Sequence, residues 1–355
     1  MNTHEDIQIA NIEKELACLH ESQKAKERTP ACLFNLIIYS QNQQRSDYLQ
    51  RIRQAIITKF PCRIIFIQGN PDPSANYLKV NVSTETVGKI VCDMIYIEAS
   101  TAYLNRVPFL IFPHLVPDLP LQLLWGQNPT TDQIILPHLI FHANRLIFDA
   151  DNAENIGQFT HDILEMMQTH PKLSFLDVNW GLTSGWRKVL AQVFDTPEAR
   201  QHLQFTNSLN IYYNDRKVNW LKHNDFQPRY LIDWLASQLN WSLENHVADD
   251  HLQTFTFHNG VKNFDIHLRP QLHVNLYPGT IVGIDVFAED EHSYVIAPIP
   301  DLPKVVVHIS TAETCELPYT LPLSGLTPGF HYVKELLFAD TSEHYKKMLA
   351  VEGVV

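Results

Sequence analysis

Two runs of nearly uninterrupted apolar character constrain this chain most. Residues 31–39 read ACLFNLIIY and residues 63–67 read RIIFI, the second set between Pro61 and Gly69-Asn70-Pro71. Each has the length of a strand and neither alternates cleanly with polar residues, so a sheet built from them is covered on both faces. Between them Tyr48, Leu49, Ile52 and Ile56 recur at helical spacing. Buried strand, amphipathic helix, buried strand predicts an α/β layered domain with a mixed or mostly parallel sheet.

The alternation continues to about residue 170. Strands are expected at 77–82 and 89–97, and a helix-like stretch runs from Thr101 toward His114. Pro117-Asp118-Leu119-Pro120 makes a turn before the apolar run LQLLW. A helical stretch near 132–142, the strand RLIFD at 145–149 and a helix at 152–169 follow. Ahead of all these, Ile9, Ile12, Leu16 and Leu19 step by 3, 4 and 3, the seam of a helix docked on its own domain or of a coiled coil, ended by Thr29 and Pro30.

From about residue 173 the texture changes. Leu182, Trp186, Val189, Leu190, Val193 and Phe194 share one helix face, with Thr183 or Ser184 as cap. Tyr230, Leu231, Trp234, Leu235 and Leu239 share another, with Pro228 in its first turn. Short β-like runs at 252–258, 263–269, 272–277, 281–287, 293–297 and 304–309 are punctuated by Asn259-Gly260, Pro278-Gly279 and Pro300-Asp301. That spacing predicts an antiparallel β meander. A helix pair at 329–338 and 341–350 is expected last, so 1–172 reads as the α/β domain and 173–355 as an α+β domain.

Composition narrows the function classes. With 27 Lys and Arg against 39 Asp and Glu, the formal charge of -12 over 355 residues offers no generic nucleic-acid footprint. Apolar stretches fall short of the roughly 20 residues a bilayer needs, and Glu5, Asp6, Glu13, Lys14 and Glu15 interrupt any signal-peptide core before Ala17. No nucleic-acid or membrane partner is expected. Cys18, Cys32, Cys62, Cys92 and Cys315 are odd in number and form no CxxC pair. This argues against a disulfide framework and for a reducing cytoplasm, with Cys32, Cys62 and Cys92 buried and inert.

Motifs for chemistry are missing where they would be needed. Gly181-Leu182-Thr183-Ser184-Gly185-Trp186-Arg187 has neither phosphate-loop spacing, and Ser184 lacks the first glycine of a nucleophile elbow. His251, His258, His267 and His273 fall in the β-rich part without HExxH or HxH spacing and read as scattered surface residues. Asp249-Asp250 and Glu289-Asp290-Glu291 read as solvated turns, and Asp118, Asp149 and Asp177 have no legible mutual geometry. No catalytic residue, cofactor or metal ligand is assigned. What stands out is aromatic: Trp180, Trp186, Trp220, Trp234 and Trp241, five of six tryptophans, with Arg187 directly after Trp186. Trp and Arg anchor interfaces, and indoles also fill a domain junction. Trp186, Trp234 and Trp241 are expected as structural anchors, whereas Trp180 and Arg187 fall outside the apolar stripe and are the better contact candidates.

At these residues the chain resembles the glucose-6-phosphate dehydrogenase assembly-protein family, OpcA. The resemblance rests on Asp177, Trp180, Trp186, Arg187, Ala191, Phe194 and Asp195 at the family's spacing, and on Leu231, Trp234, Leu235, Ala236, Leu239 and Trp241. Pro117-Asp118-Leu119-Pro120 leading to Leu123 and Trp125 is similar to a third block, with weaker echoes at Asn35-Leu36, Pro61 with Arg63, Cys92 with Ile95, Arg145 with Asp149, and Leu336-Leu337. Leu124, Leu182 and Gly185 stand where the family usually has Trp, Arg and Pro.

The resemblance implies a protein without established chemistry of its own that binds glucose-6-phosphate dehydrogenase and favours its active form. Asp118, Trp125, Asp177, Trp180 and Arg187 are then the partner-binding candidates. The competing expectation is a sugar-phosphate-acting or hydrolytic enzyme, with His114, Asp118 and Arg145 lining a site at the carboxyl ends of the N-terminal strands.

Overall fold

The computed structural model describes residues 11–249, 252–323, 337 and 339–351. Ile9, Asp250, His251, Leu336 and, apart from Leu337, the helix expected at 329–338 lie outside the described residues. Two compact units divide the chain, Met1–Ala153 with Glu165–Asp177, and Glu154–Leu164 with Val178–Val355.

The first unit carries α1 (Ile12–Lys24), β1 (Thr29–Pro30), β2 (Asn35–Ser40), α2 (Gln43–Ile57), β3 (Arg63–Asn70), β4 (Leu78–Val87) and β5 (Ile90–Ser100). The short helices α3 (Thr101–Leu104) and α4 (Val107–Ile111) follow, then β6 (Leu121–Trp125), α5 (Leu136–Leu139), β7 (Arg145–Phe148), α6 (Ile156–Thr169), which contributes to both units, and β8 (Ser174–Asp177). Every residue of β2 is buried, and so is every residue of β3 between its ends, as continuous apolar runs require. On α2 the side chains at helical spacing, Tyr48, Leu49, Ile52 and Ile56, form the buried face. The stretch expected as one helix from Thr101 toward His114 is instead broken into α3, α4 and a 3-10 turn, with Pro108 in the first turn of α4.

Strand order in this sheet is β1-β5-β3-β2-β6-β7-β8, with β4 antiparallel on β5. From β5 to β8 every neighbouring pair is parallel. The chain runs outward from β2 to β3 and β5, returns to β6 on the other side of β2, and continues to β7 and β8. This is the doubly wound order of dinucleotide-binding domains, with the crevice outside the carboxyl ends of β2 and β6 at the switch point. The four-residue β8 was not expected from sequence; it carries Phe175, Leu176 and Asp177 into the buried sheet.

The second unit contains α7 (Val178–Leu182), α8 (Ser184–Val193), α9 (Pro197–Gln204), β9 (Thr206–Asn214), α10 (Phe226–Leu239), β10 (Ser242–Ala248), β11 (Gln253–His258), β12 (Asn263–Gln271), β13 (Ile281–Ala288), β14 (Ser293–Pro298), β15 (Lys304–Ser310), β16 (Tyr319–Pro322) and α11 (Glu343–Leu349). Its sheet runs β10-β11-β12-β9-β13-β14-β15-β16. The antiparallel meander is present but split. β9 inserts between β12 and β13, parallel to the first and antiparallel to the second, which makes the sheet mixed.

β9 escaped the sequence pattern because Asn207, Asn210 and Asn214 give it the look of a turn. Asn214 also explains a second correction: 272–277 is a turn, not a strand. Its buried amide donates to the carbonyls of Leu276 and Tyr277 at 3.0 and 3.1 Å and accepts the His273 N–H at 2.9 Å. One face of the sheet, through Leu209, Ile211, Phe255, Ile266, Ile284 and Ile296, packs into a single core with Val189 and Leu190 of α8 and Leu231 and Leu235 of α10. Among the described residues no helix is long and apolar enough to cross a membrane.

Candidate functional site

At the switch point, the turn from β2 into α2 reads Tyr39-Ser40-Gln41-Asn42-Gln43-Gln44-Arg45 and contains no glycine. A phosphate-binding turn needs glycines so that backbone amides can approach the anion. Here Asn42 caps the helix, its side chain accepting the Arg45 N–H at 3.1 Å. The Ser40 hydroxyl donates to the Asn42 carbonyl at 3.0 Å, as does that of Ser46, which also bonds Gln68 on β3.

Arg45 fills this crevice. Its side chain is 2% exposed; Nε donates to the Gly126 carbonyl at 3.1 Å, and a terminal nitrogen lies 2.7 Å from Oδ2 of Asp149, itself 3% exposed. The guanidinium carbon sits 4.5 Å from the Tyr48 ring centroid, and the Tyr48 hydroxyl points to the same Asp149 oxygen at 3.4 Å. Gly126 makes the close approach possible: its N–H bonds the Tyr39 carbonyl at 2.8 Å, and a Cβ there would collide with Leu49. Asp149 follows β7 and accepts the Asp151 N–H at 3.1 Å. Burial, and after it the neighbouring Asp149, push the Asp151 carboxyl well above the usual carboxylate range. The crevice thus holds a buried ion pair beside a carboxyl whose ionisation burial disfavours, and the pair links helix to strand end.

Trp125, the last residue of β6, is fully buried with its ring 4.8 Å from that of Tyr39. Asp177, at the end of β8 and paired in register with Phe148, is 1% exposed. Both expectations of a surface contact through these side chains are therefore corrected: strand ends in a sheet covered on both faces are interior. Asp118 is exposed with φ of 61°, in the turn before β6. That turn is tied to Asn35, whose amide donates to the Val116 carbonyl at 3.0 Å and accepts its N–H at 2.8 Å. The Pro-Asp-Leu-Pro and Asn-Leu blocks are one structural device.

The enzyme expectation put its residues at the wrong edge. Asp118 and His114 precede β6 and Arg145 opens β7, so these positions belong to the amino ends of parallel strands. His114 is engaged with Glu13 at 2.9 Å. Residues at the carboxyl edge, Arg45, Asp149 and Asp151, went unremarked as a set because their convergence depends on strand order.

In the second unit Trp180, on α7, is 4% exposed and packs on Tyr345 at 5.4 Å between ring centroids. Arg187, half-buried on α8, stacks its guanidinium 3.4 Å from the Trp180 ring centroid, donates to the Trp180 carbonyl at 2.7 Å and bonds the Thr183 hydroxyl. Trp180 is thus an interior residue, correcting its expected exposure. It lies outside the α8 stripe because a separate helix carries it. Trp186 and Trp241 lie in the core, with Trp234 packed against it.

Among the histidines singled out from sequence, His258 accepts the Gly260 N–H, His267 meets Thr254 and His273 meets Gln271, each at 3.1 Å, and they do not converge. Cys62 and Cys92 are buried, with burial raising both thiols. Cys32 is half-buried, correcting the expectation that it is buried.

Comparison with known proteins places this geometry. A family model described as glucose-6-phosphate dehydrogenase subunit N-terminal domain matches residues 53–165, and one described as the C-terminal domain of the same subunit matches 174–317. Curated relatives carrying the name OpcA, an OxPP cycle protein, include those of Synechocystis sp., 26% identical over 199 residues, and Synechococcus elongatus, 25% over 201. Each match takes in 54% of this chain but only 40% and 42% of the relative, so the match spans about two fifths of these proteins. In fold the chain is similar to a 3-ketoreductase from Actinomadura kijaniata solved with TDP-benzene and NADP (TM-score 0.51, 8% identity, 90% of this chain and 94% of that one). It is likewise similar to myo-inositol 2-dehydrogenase from Lactobacillus plantarum (TM-score 0.50, 9% identity, again 90% and 94%).

Proposed function

Because the chain belongs to the OpcA family, we propose that it is a non-catalytic factor that binds glucose-6-phosphate dehydrogenase and favours its active oligomer, supporting the oxidative pentose phosphate pathway. The observation that carries the non-catalytic reading is the β2–α2 turn. Ser40 to Arg45 offers side chains where a pyrophosphate needs bare backbone, and Arg45 is already neutralised by Asp149. The role in assembly follows the family description and works by mass action: a protein that binds the active oligomer better than the inactive species shifts the equilibrium by that difference in affinity.

Of the sequence-derived contact candidates, exposed Asp118 and half-buried Arg187 can still reach a partner. The face of the second sheet opposite its core adds Val247, Phe287 and Val295, all exposed. These are the apolar positions offered to the dehydrogenase. The test is to add the purified protein to dilute dehydrogenase from the same cell. Specific activity and apparent mass by light scattering both rise; no change in either quantity overturns the reading.

A further inference from the structure

Three metal-ligating side chains meet in the second unit outside everything described above. His202 stands in the last turn of α9, while Asp290 and His292 lie in the turn joining β13 to β14. Nε2 of His202 and Nδ1 of His292 each lie 2.9 Å from the same Asp290 oxygen, Oδ2. The two imidazoles stack with centroids 4.2 Å apart, and one ligand atom from each residue falls within 4.8 Å of the other two.

Two details distinguish this from a surface ion pair. Nδ1 of His202 bonds the hydroxyl of buried Tyr294 at 2.6 Å. With that nitrogen engaged, Nε2 is the one turned toward Asp290, the outer-shell arrangement that orients a ligating imidazole. His292 Nδ1 is itself buried and faces the Asp290 carboxylate at 2.9 Å. Both imidazoles thus present a ring nitrogen to the same carboxylate oxygen. A cavity of about 200 Å³ lined by Gln201, Phe205 and Glu289 opens beside the group.

We propose that His202, Asp290 and His292 bind a divalent cation of the zinc class, with the fourth coordination position facing this cavity. Two imidazole nitrogens and one carboxylate oxygen match the donor preference of zinc and disfavour calcium and magnesium, which take oxygen ligands. Zinc-ligand bonds of about 2.0–2.2 Å require the 2.9 Å contacts to open by only a few tenths of an ångström. The cation ties α9 to the β13–β14 turn, joining a helix end to a hairpin distant in sequence. This site does not depend on the assembly reading and is tested without the dehydrogenase.

The full chain, stripped with a chelator, is titrated with zinc by calorimetry and with cobalt by visible absorption. One equivalent binds with a dissociation constant of about 1 μM or tighter, and cobalt shows ligand-field bands without thiolate charge transfer. Asp290→Asn and His292→Ala each weaken zinc at least tenfold with the circular dichroism spectrum unchanged. Tyr294→Phe, which leaves all three ligands, weakens it about tenfold. Absence of stoichiometric binding, equal affinity in Asp290→Asn and His292→Ala, or a thiolate band pointing to exposed Cys18 or Cys315 overturns the proposal.

Discussion

Replacing Asp149 by alanine tests whether the crevice is held by a buried ion pair. The substitution leaves the Arg45 guanidinium, 2% exposed, without the carboxylate 2.7 Å away, beside an Asp151 whose ionisation burial disfavours. Removing one partner of such a pair costs about 3–5 kcal/mol because the remaining charge stays desolvated. At 1.4 kcal/mol per tenfold, that is a loss of roughly a hundredfold to a few thousandfold in the local stability constant. Amide hydrogen exchange read by mass spectrometry on peptides spanning β2 and β6 reports this loss directly, since both strands flank the pair and are drawn from the stable end of the unit. The double variant Arg45→Met with Asp149→Leu, which replaces the pair by apolar groups, recovers most of the lost protection. A loss below tenfold for Asp149→Ala, or a double variant no better than the single one, refutes the closed-crevice account and reopens the site to a ligand.

Asp151→Asn mimics the protonated acid. The folded-state pKa of Asp151 is raised, so its contribution to stability is full below the unfolded carboxyl value near 4 and is lost as pH rises through the raised one. The variant is therefore more stable than the parent at pH 7 and close to it at pH 4 in denaturant titrations, and equal offsets at both pH values contradict the assignment. Gly126→Ala forces a methyl against Leu49 and to 2.8 Å from the Tyr39 carbonyl oxygen, costing about 1–3 kcal/mol in urea unfolding; a neutral effect means the crevice is looser than described. Arg187→Ala removes the stack on Trp180 and the bond to its carbonyl, lowering stability by about 1–2 kcal/mol, and Arg187→Lys does not restore it because the planar fork is lost. Full rescue by lysine shows that only the charge mattered.

The local periodicities of the sequence reached a definite depth. The apolar runs that became β2 and β3 and the 3.6-residue spacing on α2, α8 and α10 are properties of contiguous residues, and so is the turn chemistry around Asp118 and Gly260. The layered α/β unit and a largely antiparallel second sheet followed from them, while the resemblance to OpcA rests on particular motif residues such as Asp177, Trp186 and Arg187. Elements escaped where a local signal pointed the other way. β9 is rich in asparagine, β8 is only four residues long, and 272–277 has the composition of a strand but is folded into a turn by Asn214.

Tertiary structure alone decided what strand order brings together. Arg45, Gly126, Asp149 and Asp151 converge because β2, β6 and β7 are neighbours with their carboxyl ends aligned. The same order moved Asp118 and Arg145 to the opposite edge of the sheet. His202 meets Asp290 and His292 because α9 packs beside the β13–β14 hairpin. A side chain's partners across a sheet depend on pairings between segments distant in sequence, and no spacing within one segment carries that information. The sequence therefore determined which segments are strands, which faces are buried and which family the chain resembles. The structure determined that Trp180 and Trp186 are interior, that the switch-point crevice of the first sheet holds a buried ion pair, and where His202, Asp290 and His292 meet.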